Sequence, residues 1–495
     1  MATQIVITGW GQITQPKNAE PPFLEPVDMM ERAALDAKKV AGAGIWSAID
    51  TLLLVRTQSR NLPNPDTQLA KRLGLNLRTT QVSGIGGEVP QHYVNQAAGM
   101  LARGDAKGIL ICGAETYYPR DNNAVTGEAA LIQGVPDDYD ADDAVGSDEL
   151  EQRHGLNLPI HGFPLFETAL WAASGKTRAD WLNQVGSMWS KFSHVAAGHP
   201  NAWTRQAAAV DDIITPSPSN RPICSPYTKR MVSLVSADIG AAIIMTTAEL
   251  ANINDPQCKP VYFLGGGFAK DRQRFMSNKE NFTHSPALAT AAAKAQKRAG
   301  VSVDDVDGFD LYSCFPCAVS VAKRVLRIED DDPRSLTTTG GLGFFGGPGS
   351  NYALHGIATL AERISNGDFK IGMATALGWF MHKYAVGFYG DAPNGHDFSD
   401  DDLIDDENPE AGRPPVSRVE EFNGTGVIDT YTVVYSRERE PVKTILLGTT
   451  DDGHRFVANT ATTPEVFETF ISENQIGKRV SVSTANKINI ASLID

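Results

Sequence analysis

Cys314-Phe315-Pro316-Cys317 has the spacing of a redox dithiol or of half a zinc site. A Cys-x-x-Cys where a strand runs into a helix can lower a thiol pKa, because the helix N-terminus favours the thiolate. No second pair completes a tetrahedral site, and the five cysteines (Cys112, Cys224, Cys258, Cys314, Cys317) are odd in number and scattered through apolar sequence. We read them as reduced, inert thiols rather than as a redox pair or a disulfide framework. Thr337 to Gly349 is the second candidate. So many glycines ahead of a helical pattern imply a backbone that turns with positive φ, approaches something closely and offers free N–H groups at a helix start. Such donors suit a carbonyl or an anion. His355, about two turns into that helix, is either a base or a hydrogen-bonded core histidine. Glu88 is either a cavity carboxylate or a first-turn residue favoured by the helix dipole. Both are expected to face a central cavity, with His92, Glu115 and His382 as weaker candidates. Gly265-Gly266-Gly267 lacks the helix and acidic residue that a dinucleotide fingerprint needs at set spacing.

Positioning these groups falls to alternating short β-rich runs and helical patterns. Gln4 to Thr8, Thr51 to Val55, Gly108 to Cys112 and Ser236 to Met245 read as strands, with helices over Val27 to Val40 and Thr67 to Leu73. Pro260 to Leu264, Gly308 to Tyr312, Lys370 to Ala376 and Tyr384 to Tyr389 repeat the plan around helices over Pro286 to Ala299 and after Ser350. Two similar halves predict a duplicated α/β fold with mixed sheets. Glu88 to Ala102 has Pro90 in its first turn and the small run Ala97-Ala98-Gly99, which marks a helix buried on every side. The expected divisions are a first half over 1–250, carrying an aromatic-rich insertion at about 117–226, and a second half over 251–393. An acidic, proline-closed linker over 394–415 follows, and then a terminal domain over 416–495. Five short strands and one helix in that last part fit a small OB-like β-barrel.

A chain of 495 residues with 42% hydrophobic content and a net charge of -15 excludes broad electrostatic attraction to nucleic acid or anionic membranes. In the terminal domain eight Lys or Arg stand against eleven Asp or Glu, which is no nucleic-acid footprint. There is no apolar run of membrane-spanning length, and the start reads as a first strand, so a cytoplasmic location is expected.

Gly340-Gly341 and Gly346-Gly347-Pro348-Gly349 resemble the Gly-Gly and Gly-His-Pro-x-Gly segments of thiolases and SCP2-type thiolases, where they also precede a buried helix. Tyr312-Ser313-Cys314-Phe315 resembles their Asn-Glu-Ala-Phe or His-Asp-Cys-Phe motif, with Cys314 on the cysteine of the latter. The extra terminal domain is similar to that of bacterial thiolase-like proteins of type 1. The resemblance implies two five-stranded halves sandwiching two central helices, a loop domain covering acyl-CoA, and the acetyl-CoA acetyltransferase family. It also implies CoA or acyl-CoA as ligand with no permanently bound cofactor or metal, Gly346, Gly347 and Gly349 as ligand-binding positions, and a homodimer through the core. The catalytic set departs from the pattern. Gly87 stands at the nucleophilic cysteine, Tyr312 at the Asn or His, Gly347 at the Gly-His-Pro histidine and Ala376 at the acid/base cysteine. Removing a nucleophile or its base from a covalent mechanism costs about a million-fold in turnover, so ordinary thiolysis is expected to be absent. Two readings remain: an acyl-CoA-binding protein or variant acyltransferase, and a non-catalytic scaffold or partner subunit. In both, small molecules or protein and not nucleic acid or membrane are the partners.

Overall fold

β-branched runs bounded by glycine and polar turns form the strands, and amphipathic stretches between them form the covering helices. The structure, a computed structural model, describes residues 3–120, 146–254, 259–398 and 410–494. The first half runs β1 (Ile5–Thr14), α1 (Pro26–Ala48), β2 (Ile49–Leu54), α2 (Pro65–Leu73), β3 (Thr79–Val82), α3 (Val89–Ala102) and β4 (Gly108–Thr116). The insertion contributes α4 (Glu149–Arg153), α5 (Pro159–Ser174), α6 (Arg178–Gly198), α7 (Val210–Ile214), β5 (Pro222–Cys224) and β6 (Tyr227–Thr228). Then follow β7 (Asp238–Thr247), α8 (Ala248–Asn254), β8 (Val261–Asp271), α9 (Pro286–Ala299), β9 (Gly308–Asp310), α10 (Pro316–Leu326), α11 (Tyr352–Ser365), β10 (Ile371–Gly378) and β11 (Lys383–Gly390).

The main sheet has the order β3-β2-β4-β7-β1-β8-β11-β10-β9. It is mixed: β3, β2 and β4 run parallel, as do β9 and β10, and the remaining pairs of that order are antiparallel. The two halves meet where Val6 pairs with Tyr262 and Ile7 with Val261. Among the described residues the first half supplies five of these strands and the second four, one fewer than the family pattern implies. β3 has no counterpart in our reading of the sequence, because Thr79-Thr80-Gln81 is polar and exposed and shows no apolar alternation. β8 runs seven residues beyond its expected end at Leu264. Its three glycines lie within the strand, where a Cβ on Gly265 or Gly267 would strike the backbone of α9 at Ala299 or Ala291. The triplet is a packing device.

Helices α3 and α11 each pack on strands of both halves and so form the middle layer. Val94, Ala97, Ala98 and Leu101 share one apolar cluster with Leu354, Ile357, Ala358 and Ala361. Small side chains on α3 let the two helices and both sheet halves approach closely, which explains the Ala97-Ala98-Gly99 run.

A two-residue strand, β12 (Glu410–Ala411), lies beside β8. The terminal domain is β13 (Gly424–Tyr435), β14 (Pro441–Thr450), β15 (Arg455–Thr460), α12 (Pro464–Ser472), β16 (Arg479–Ala485) and β17 (Ile488–Leu493). Strands β14-β15-β17-β16-β13 close through β13–β14, with β15 and β17 parallel, giving a five-stranded OB-like barrel. It is not tethered at a distance. Val434 pairs with Cys224 of β5, and Ile445, Leu447 and Val457 belong to the same apolar cluster as Phe163 and Phe166 of α5. Thr430 Oγ1 donates to the Leu165 carbonyl at 2.6 Å, and Asn459 Nδ2 to the His154 carbonyl at 2.9 Å. Of the expected linker, 399–409 lie outside the described residues. Its end, exposed over 412–415, is tied to the core: Arg272 N donates to the Ala411 carbonyl and Gln273 Nε2 to the Pro414 carbonyl, both at 3.0 Å, because the lengthened β8 and the turn after it offer backbone and side-chain donors. No helix among the described residues is long and apolar enough to cross a membrane.

Candidate functional site

A cavity of about 480 Å3 opens at the N-terminal ends of α3 and α11. The core side supplies Gly86 and Gly87 before α3, Tyr312 to Phe315 (except Ser313) after β9, Gly347 and Ser350 before α11, and Leu377 and Trp379 where β10 ends. The insertion supplies the cover through Leu158, Ile160 and Phe163. This volume lies in the range of small-molecule sites, and the walls are mostly apolar. Val235, 49% exposed, marks the mouth.

Gly87, Tyr312 and Gly347, which the sequence resemblance puts at three catalytic positions, line this one cavity, and Cys314 and Gly349 line it with them. Ala376 does not. It is fully buried in β10 opposite Ala385, and its neighbours Leu377 and Trp379 reach the cavity instead. Gly346 is also absent from the lining; a Cβ there would meet Ala237 at 3.1 Å. A Cβ on Gly87 would collide with the Tyr312 hydroxyl and the Leu377 carbonyl. The phenol therefore fills the space a side chain at Gly87 would need. A Cβ on Gly347 would collide with Ser233 Oγ and come within 2.7 Å of the Leu342 Cβ, so no histidine fits there either.

The glycine-rich stretch does not offer all the free donors its composition predicts. Gly347 N donates to the Leu234 carbonyl at 3.0 Å, and Gly340 N and Gly341 N are taken by Thr337 and Thr339 hydroxyls. Its entry is held by Asp310, 2% exposed, which sequence reasoning missed. Asp310 Oδ2 accepts from the hydroxyls of Thr337, Thr338 and Thr339 and from two of their backbone N–H groups, while Oδ1 accepts from the Tyr352 hydroxyl at 3.0 Å. Three consecutive threonines were the available signal, since buried hydroxyls require an acceptor.

The polar end of the cavity is Gln58 and Ser350, also missed. Gln58 Nε2 donates to Ser350 Oγ at 2.8 Å, and Gly86 N donates to the same oxygen at 3.0 Å. Gln58 Oε1 is buried without a hydrogen-bond partner among the described residues. Glu115 fixes this corner by accepting the backbone N–H groups of Gln58 and Ser59 at 2.8–3.1 Å, and burial pushes its carboxyl up to about 7. It therefore serves the site from behind rather than as a cavity carboxylate.

Neither Glu88 nor His355 lines the cavity, against expectation. Glu88 is buried 3.5 Å from Lys383 Nζ. His355 is fully buried with Nδ1 2.9 Å from Gln12 Oε1, packs on Phe345, and is pushed down to about 3 by burial, so it is a core histidine. His92 is partly buried with its ring against Phe268, and His382 is held neutral by burial and nearby lysines. Burial raises the Cys314 and Cys317 thiols well above their ordinary values; Cys317 Sγ donates to the Phe163 carbonyl at 3.3 Å. That is the opposite of an activated dithiol. No group of three or more His, Cys, Asp or Glu among the described residues is arranged to hold a metal ion.

Residues 411–487 match the thiolase-like protein type 1 additional C-terminal domain. No curated protein matches the chain. Two solved structures under 25% identical share the fold. The Ltp2–ChsH2(DUF35) aldolase is 19% identical over 78% of this chain and 97% of its own, with a TM-score of 0.61. An acetyl-CoA acetyltransferase from Syntrophomonas wolfei is 15% identical over 79% and 100%, with a TM-score of 0.57. A monomeric SCP2-thiolase-like protein type 1 from Mycobacterium smegmatis is 31% identical, covers 99% of each chain and has a TM-score of 0.83. With both halves, the insertion and the terminal barrel all within that match, the chain belongs to the SCP2-thiolase-like proteins of type 1.

Proposed function

We propose that this protein binds an acyl-CoA or a related thioester in the cavity between its halves and does not perform ordinary thiolysis. One observation carries the reading: the cavity is open and apolar while the positions that would do covalent chemistry in it are Gly87, Tyr312 and Gly347. The apolar walls suit an acyl or pantetheine arm, and the phenol O–H of Tyr312 and the amide of Gln58 suit a polar group on it. Burial holds the Tyr312 phenol well above its usual pKa, so it acts as a neutral donor and not as a nucleophile. Calorimetric titration with CoA and a series of acyl-CoAs, beside a thiolysis assay on acetoacetyl-CoA, tests this. Binding without turnover is expected. Robust thiolysis would refute it, and no binding to any acyl-CoA would move the assignment to a scaffold or partner subunit.

The M. smegmatis relative is described as monomeric, and we carry that state over in place of the expected homodimer. The edge strand β3 supports it, since it is short and polar and offers little apolar surface to a second copy. Light scattering on eluted protein should give the mass of one chain. A cytoplasmic location remains part of the proposal.

A further inference from the structure

The sequence shows no basic patch, yet the fold assembles one. Between α6, α10 and the segment leading to the glycine-rich stretch lies a second cavity of about 900 Å3 that shares no lining residue with the first. Six cations line it: Lys176, Lys191, Lys323, Arg324, Arg327 and Arg334. Three acids accompany them. Two are already engaged, Asp330 by Lys323 and Asp332 by Arg334, which leaves Glu329 against Lys176, Lys191, Arg324 and Arg327. Lys323 and Arg324 sit in the last turn of α10, where cations ordinarily offset the helix dipole. The others come from separate elements, 176 after α5, 191 on α6, and 334 beyond α10, so helix capping does not account for the group. Arg327 ends α10 with φ +58, a conformation uncommon for a side chain of its size, and it too borders the cavity. In a chain of net charge -15 a concave positive site is a local reversal of the field. The floor is apolar, with Met188, Phe192 and Leu336.

We propose that this second cavity binds a small phosphorylated molecule with an apolar or aromatic body, of the nucleoside diphosphate type. Guanidinium and ammonium groups on the rim take the phosphates, and the floor takes the body. The site is concave and of small-molecule size, which fits such a ligand better than a duplex backbone.

Calorimetry on the full chain with ADP, pyrophosphate and a short DNA duplex tests it at low salt. ADP should bind, pyrophosphate should bind more weakly, and added salt should weaken both. Arg324→Glu combined with Arg327→Glu should weaken ADP at least tenfold, and Lys191→Glu should do so independently. Ile160→Trp, which fills the first cavity, should leave ADP affinity unchanged. The proposal is overturned if neither ADP nor pyrophosphate binds, if the charge reversals change nothing, if Ile160→Trp abolishes ADP binding, or if the duplex binds more tightly than ADP through the same cations.

Discussion

Gly87→Cys places a sulfur where the sequence resemblance expects the nucleophile, and the packing around it predicts the result. The new Cβ meets two groups, the Tyr312 hydroxyl and the Leu377 carbonyl. The carbonyl cannot retreat, because Leu377 is paired with Tyr384 across β10 and β11. Tyr312 must move, although its backbone is held by Thr375 Oγ1 at 2.9 Å and its ring packs edge-on against Tyr352. Overpacking of this kind costs about 1–3 kcal/mol, and a rigid backbone on one side puts this case at the upper end, about 2–3 kcal/mol. Introducing Gly87→Cys into a Tyr312→Ala background should cost less, by a coupling of about 1–2 kcal/mol, since the ring is gone and only the carbonyl remains. Calorimetric melting of the four proteins at one scan rate measures the cycle. Thiolysis should stay at background in all of them, because no acid/base partner is restored. Equal melting temperatures for wild type and Gly87→Cys, with no coupling to Tyr312, would refute the reasoning that glycine and tyrosine share one space.

Gly347→Ala should also lower stability by about 1–3 kcal/mol through Ser233 and Leu342, and Ser233→Ala should recover part of it. Melting temperatures of the single and double variants decide this, and an unaffected Gly347→Ala would show that the loop yields. Glu167 is fully buried, accepts from Trp181 Nε1 at 2.7 Å and the Tyr227 hydroxyl at 2.6 Å, and is pushed up to about 7 by burial. A raised carboxyl favours the folded state below its unfolded value near 4.5 and loses that contribution as pH rises through 7. Relative to wild type, Glu167→Gln should therefore gain stability between pH 4.5 and 8, by about 3 kcal/mol, in denaturant titrations at each pH. A difference that does not change with pH would exclude the raised pKa. Cys112, Cys224, Cys314 and Cys317 are buried with raised pKa values, so peptide mapping after native alkylation at pH 8 should find them unmodified. Rapid labelling of Cys314 and Cys317 would revive the dithiol.

Long periodic elements were legible in the sequence because their apolar faces are set by local spacing. Pro286 to Ala299 appears in the structure with the boundaries its pattern implies. β3 was not legible, since a polar edge strand carries no alternation, and the length of β8 was hidden by glycines whose reason is a helix close by in space and distant in sequence. In the site, Gly87, Tyr312 and Gly347 were readable as departures from a motif. What they touch was not. The collision of Gly87 with Tyr312 joins positions 225 residues apart, and the polar corner built by Gln58, Glu115 and Ser350 has no spacing to betray it. His355 shows the converse error: a histidine on a helix above a glycine-rich loop looks catalytic until its own full burial and its hydrogen bond to Gln12 are seen.

Whether the first cavity is kept for a ligand can be asked through the stability it forgoes. A protein that used this fold purely as a scaffold would gain by filling an apolar hole, since each buried methylene contributes about 0.8 kcal/mol. Here the hole stays open, and Gln58 Oε1 is left buried and without a partner among the described residues at its polar end, which costs about 1–3 kcal/mol unless a ligand supplies a donor. Both features oppose stability, and a site that trades stability for binding has this signature. Ile160 is half-buried on the cover, so Ile160→Trp directs an indole into the cavity without touching the core strands. It should raise the melting temperature while abolishing acyl-CoA affinity. A rise in stability with affinity intact would place the ligand elsewhere, and a fall in stability would mean that the cavity is already occupied by packing the wild type needs.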